Sequence, residues 1–223
     1  MCFSATANFA GSAVLAAIGV ATLSEVKHRR ELLLAAMPCL FALHQFTEGF
    51  VWLGLDHRLS PAATQDAGSA FVLYAQGLLP FLLPLSVLLI EPTLQKRKQM
   101  LGFLILAIAL TLYILWGLIA APLQIFIRGN SIVYENAITS SVVVAVIYVI
   151  VTCGALLLFG FRDLVVFGIL NMVGLVVVML IKSYAFTSVW CAYAAAVSII
   201  IYFFFRRSRP QRPAQYLEVV VLQ

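Results

Sequence analysis

Seven apolar runs, each of about the twenty residues that a helix needs to cross a bilayer, divide nearly the whole chain. They lie at about 3–26, 32–55, 68–90, 100–121, 140–159, 164–181 and 186–205, with short polar or basic connections between them. A chain that is 63% hydrophobic and only 10% charged has too little polar side chain to cover a soluble domain of 223 residues. In lipid every backbone polar group must be satisfied within the segment, so such runs form helices. The sequence therefore predicts an all-α membrane protein, a seven-transmembrane helix bundle occupying residues 1–205. A basic tail at 206–223 follows it.

The charges orient this bundle. The first run ends in Lys27-His28-Arg29-Arg30, with its positive residues after the apolar stretch instead of before it. That order is the reverse of a secretory signal, and the run is expected to remain as an uncleaved first helix with its N-terminus outside. Eleven of the fourteen lysines and arginines then fall on one side: Lys27, Arg29, Arg30, Lys96, Arg97, Lys98, Arg162, Arg206, Arg207, Arg209 and Arg212. Only Arg58, Arg128 and Lys182 fall on the other. The positive-inside rule places the eleven, and the C-terminus, in the cytoplasm. The net charge of +5 thus reports orientation and contact with anionic lipid, not nucleic acid.

Two connections carry more detail. Residues 123–135 alternate β-branched and aromatic residues around Arg128-Gly129-Asn130-Ser131, the pattern of a short outer β-hairpin between the fourth and fifth spans. It should set Ile125, Ile127, Ile132 or Tyr134 against the helix ends and turn Gln124 and Arg128 to water. In the third span, Pro80 and Pro84 lie about a turn apart and should bend or unwind the helix, because each lacks an N–H. The segment from Asp56 to about Asp66 reads as a polar outer loop.

The second span holds the candidate site. His44, Gln45, Thr47 and Glu48 stand inside an apolar run, where an ionisable group costs about 2.5–3.5 kcal/mol on insertion scales. His44 and Glu48 are one turn apart and share a helix face with Trp52, beside Gln45. Gln76, Tyr148, Asn8 and Tyr113 fall in outer halves of other spans, so these residues could meet Glu48 in one outward-facing polar cavity. The competing reading is an interhelical hydrogen-bond cluster that only fixes packing, each bond contributing about 0.6–2 kcal/mol.

Several chemistries find little support. His44 and Glu48 are the only metal candidates, and zinc or iron needs three or four ligands. The other two histidines, His28 and His57, lie toward opposite surfaces, which argues against a multi-histidine zinc hydrolase or a bis-histidine haem. A retinal Schiff base needs a lysine within the last span, which has none. No cofactor is assigned. The four cysteines form no Cys-x-x-Cys pair. Cys39 and Cys153 read as small buried residues. Cys2 and Cys191 both fall near the outer face and are either a disulfide or two free thiols. Trp52, Trp116 and Trp190 fit an interfacial belt.

The opening Met-Cys-Phe-Ser-Ala-Thr-Ala, together with Arg29-Arg30-Glu31-Leu32, His44-Gln45, Glu48-Gly49, Val51-Trp52, Thr152-Cys153-Gly154-Ala155-Leu156 and Trp190-Cys191-Ala192, resembles a bacterial family of uncharacterised multi-pass membrane proteins. The resemblance implies an integral protein of the bacterial inner membrane and carries no established catalytic residues. From the residues themselves, the leading expectation is a non-enzymatic protein that binds or moves a small solute, ion or proton. The alternatives are a membrane enzyme using Glu48 and His44 as general base or metal ligands, and a structural or partner-binding protein.

Overall fold

The computed structural model describes residues 4–158, 162–182, 189, 193, 195 and 197–207. Its elements in chain order are α1 (Ala5–Leu23), α2 (Leu32–Ala35), α3 (Met37–Leu55), α4 (Pro61–Val72), a π-helical segment (Leu73–Leu78), α5 (Leu79–Ile90), α6 (Leu94–Ala120), β1 (Leu123–Arg128), β2 (Ser131–Asn136), α7 (Val142–Leu157), α8 (Arg162–Lys182) and α9 (Ile199–Arg207). Cys2, Cys191 and Trp190 lie outside the described residues, as do residues 159–161 and the tail from 208 onward.

Among the described residues, three helices are long and apolar enough to cross a membrane: Ala5–Leu23, Pro61–Ile90 and Leu94–Ala120. Val142–Leu157 and Leu164–Val178 are shorter apolar helices. α3 equals α1 in length, at 19 residues; its polar residues, not its length, set it apart from that group.

The 30-residue helix Pro61–Ile90 corrects the expected start of the third span at 68 and the expected loop to Asp66. Ser60 is extended and accepts the Ala63 N–H on its side chain, while Pro61 opens the helix without needing a donor. The helix therefore begins before the apolar run does. Likewise α6 begins at Leu94 instead of near 100, carrying Lys96, Arg97 and Lys98 on its first turns.

Proline shapes both helices around the candidate site. Pro38 has no N–H for the Leu34 carbonyl, and the helix breaks there: α2 ends with the Ala36 N–H donating to Leu32 O at 2.9 Å, and α3 begins at Met37. Upstream of Pro80 the backbone widens into the π segment, where the Leu79 N–H reaches Tyr74 O, five residues back. The Thr111 hydroxyl of α6 reaches the Gly77 carbonyl at 2.7 Å and so satisfies part of the loosened stretch.

α1 and α3 run antiparallel in close contact. Gly19 leaves room for Cys39, Phe9 covers Gly49, and the Ser12 hydroxyl donates to the Ala42 carbonyl at 2.7 Å. Small residues of this kind let membrane helices approach each other. Two buried clusters fill the structure. One contains Trp52, Phe71, Tyr134 and Tyr148. The other, toward the end of the molecule that carries Glu31 and Ile90, contains Phe41, Leu83, Leu156, Phe167 and Phe204.

The hairpin forms as its turn chemistry predicts, an antiparallel pair in register from Leu123–Asn136 to Arg128–Ser131. Gly129 has φ 61°, a conformation that suits glycine. Ile125 fills the space over Gly68, Ile132 and Tyr134 are buried, and Gln124 and Arg128 face outward. Ile127 shares the face of Ile125 but lies next to the turn and is 43% exposed, contrary to one expected contact. The Gln65 amide donates to Leu123 O at 3.0 Å. Asn136 fastens the far strand by donating to Gly117 O and Ala121 O and accepting from Ile138 N and Thr139 N.

Candidate functional site

One face of α3 is polar and buried. His44, Gln45, Glu48 and Trp52 are 2%, 0%, 0% and 5% exposed, and their spacing sets them along one stripe over two turns. The pairing of Phe9 with Gly49 brings the N-terminal part of α1 to the level of Glu48, and Asn8 there is fully buried.

Aromatic rings grip His44. Its imidazole stacks on Phe71 of α4 at 4.0 Å and 12°. It also meets Tyr74 of the π segment at 4.6 Å and 36°. Phe71 in turn stacks on Tyr134 of β2 at 4.7 Å and 21°. Two rings both near-parallel to Phe71 at these distances occupy its opposite faces. The hairpin is thus joined to the centre of the bundle through a column, Tyr134–Phe71–His44–Tyr74.

Much of the hydrogen-bonding capacity of His44, Gln45 and Trp52 on this face is unused among the described residues. Among the described residues, both ring nitrogens of His44, both amide atoms of Gln45, Asn8 Oδ1 and Trp52 Nε1 are buried without a hydrogen-bond partner. Buried polar groups in native proteins are nearly always paired, and each one left unpaired costs about 1–3 kcal/mol. Adjacent His44 and Gln45 offer donors and acceptors together, next to the carboxyl of Glu48. Such a set suits a small hydrogen-bonding ligand or a proton, which can be taken up and released by groups already oriented.

The other predicted residues divide. Tyr148 is buried in the cluster with Trp52 and Phe71, and Gln76 is half-buried on the π segment. Tyr113 lies elsewhere: it is 39% exposed and its hydroxyl donates to Ile138 O at 3.0 Å, bracing the connection after the hairpin. The polar face is packed against α1 and α4, and its four residues are at most 5% exposed. No group of three or more His, Cys, Asp or Glu side chains converges among the described residues, so none of these joins His44 and Glu48 as a third ligand.

Phe71, Tyr74, Tyr134 and Asn136 were not singled out as functional by sequence reasoning. Aromatic residues in apolar runs carry no local mark of what they stack on. The only available signal was the alternation that turned Tyr134 inward.

No curated protein and no solved structure matches the chain. A family model does match, across residues 1–216, and the chain belongs to the family of unknown function DUF6629.

Proposed function

We propose that this protein binds a small hydrogen-bonding solute or ion in the plane of the membrane, at His44, Gln45 and Glu48, and that a proton is the cargo its enclosed geometry fits best. In this reading Glu48 carries or neutralises charge, His44 relays the proton, and Gln45, Gln76 and Tyr148 orient the bound species. The observation that carries it is the adjacent pair His44 and Gln45, fully enclosed, with all four polar atoms free of protein partners among the described residues.

The same proposal places seven spans in the bacterial inner membrane, with the N-terminus outside, the hairpin at the outer surface and residues 206–223 in the cytoplasm among anionic lipids. The split of eleven basic residues against three supports that orientation.

Purified protein in lipid vesicles tests the function. An inward-negative potassium diffusion potential, set by valinomycin, should drive proton uptake that a trapped pH-sensitive dye reports. Glu48→Gln should keep the elution profile and helicity of the native protein and lose the uptake. Native vesicles no faster than empty ones, or Glu48→Gln as fast as native, would reject the proton reading.

A further inference from the structure

We infer that the polar face of α3 continues past Tyr148 into a second site that holds water between α3, α5, α7 and α8. The two together make a half-channel for water and protons, open toward the hairpin and closed toward the opposite end. This deepens the proposed proton reading and rests on it for the role of Glu48.

The second site is a cavity of ≈ 20 Å³ whose polar lining is Tyr148, Thr152 and Asn171. About 10–15 Å³ of such space holds one water, provided that two to four polar partners are present. The Thr152 hydroxyl donates to Tyr148 O at 2.8 Å, and the Asn171 amide donates to Phe167 O at 2.8 Å. The Thr152 hydroxyl proton and one Asn171 N–H are therefore turned back on their own helices. Thr152 Oγ1 and Asn171 Oδ1 remain as acceptors, matched to the two protons of one water molecule. An apolar void would offer neither.

Three features join this cavity to the α3 face. Phe41, in its wall, is one turn from Gln45 on the same stripe. Leu79, also in its wall, immediately follows the π segment that carries Gln76. Tyr148 belongs both to the cavity lining and to the cluster of Trp52, Phe71 and Tyr134, so it is shared between the two sites. Below the cavity the character changes. Leu83, Leu156 and Phe167 pass into the second cluster, with Leu164, Phe204 and Phe205 all buried behind them. A charge entering that layer meets hydrocarbon on every side, which closes the path.

The structure also supplies its own reporter. Cys153 lines the cavity, is fully buried, and is a free thiol. Silver ion reacts with thiols and is small enough to follow water. In sealed vesicles of known orientation, the variant C2A/C39A/C191A leaves Cys153 as the sole target. Silver added on the hairpin side should consume Cys153, read as protection from a maleimide added after denaturation. The rate should be at least about tenfold that from the opposite side, because the apolar layer opposes a cation there. Adding Asn171→Leu, which fills the cavity with an apolar group, should slow the reaction; C153A should give no signal.

If the triple replacement does not fold, peptide mapping of Cys153 in the native protein after the same silver exposure gives the same readout. No reaction from either side, or equal rates from both, would overturn the half-channel. Loss of proton uptake in Glu48→Gln with Cys153 unreactive would keep the proposed function and remove the half-channel. Reactive Cys153 with Glu48→Gln fully active would support the water path and remove the role given to Glu48.

Discussion

If Gln45 is kept for binding and not for packing, then replacing it with an apolar residue of similar shape should stabilise the protein while disabling it. Gln45 is fully buried and its amide makes no hydrogen bond among the described residues. A buried polar group in that state costs about 1–3 kcal/mol. Gln45→Met nearly preserves volume and rotamer freedom, so the penalty for misfit should stay below about 1.5 kcal/mol. The balance favours the variant by up to about 2 kcal/mol. For a domain of this size each kcal/mol moves the midpoint by about 2–4 °C, so Tm should rise by up to about 8 °C. Thermal unfolding of detergent-solubilised protein, followed by a thiol-reactive dye or by tryptophan emission, measures it. Proton uptake in vesicles should fall in the same variant. A drop in Tm of several degrees would refute the reasoning, because it would show that the amide already has a structural partner.

Three further outcomes test other parts of the structure. Gly68→Leu should dislodge the hairpin, since Ile125 occupies the space a side chain there would need, and Ile125→Ala should restore much of the loss. A double-mutant cycle on Tm should give a coupling of about 0.5–3 kcal/mol, and additive effects would contradict the contact. Asn136→Asp keeps the acceptor for Ile138 and Thr139 but sets an oxygen against the carbonyls of Gly117 and Ala121. It should cost about 2–4 kcal/mol, as two buried hydrogen bonds are lost, and a silent variant would undo the clamp. A reporter fused after Gln223 should be cytoplasmic and one inserted at Gly129 external; an external C-terminus would end the seven-span topology.

The sequence made some of this site legible because its signals are local. A turn of helix relates His44 to Glu48 and Glu48 to Trp52, and all three are buried as that period requires. Gly129 and the flanking alternation specify a hairpin without help from the rest of the chain. Other features depend on competition between signals. Polar Gln65 and Asp66 read as loop, whereas the Ser60 cap and Pro61 start a helix that carries them along. Tyr113 and Tyr148 look alike as tyrosines in outer halves of spans, yet one braces a connection and the other enters the buried cluster. Only packing distinguishes them.

The ring column required two independent departures from regular structure to meet, which explains why no single stretch announces it. Pro80 forces the upstream backbone into five-residue hydrogen bonding, and that wider turn changes the direction in which Tyr74 and Gln76 leave the helix relative to Phe71. Phe71 and Tyr74 can then both engage His44. On the other side, a hairpin pinned by Gln65, Gly68 and Asn136 delivers Tyr134 to the free face of Phe71. Each device alone reads as a disturbance, a proline inside a span or a strand in a helical protein. Together they hold an imidazole by its faces and leave both its nitrogens unclaimed among the described residues. A packing device would do the reverse, since nitrogens committed to neighbouring helices fix geometry better than stacked rings do. The arrangement positions His44 firmly, as the proposed proton role requires, without committing its nitrogens to a described neighbour.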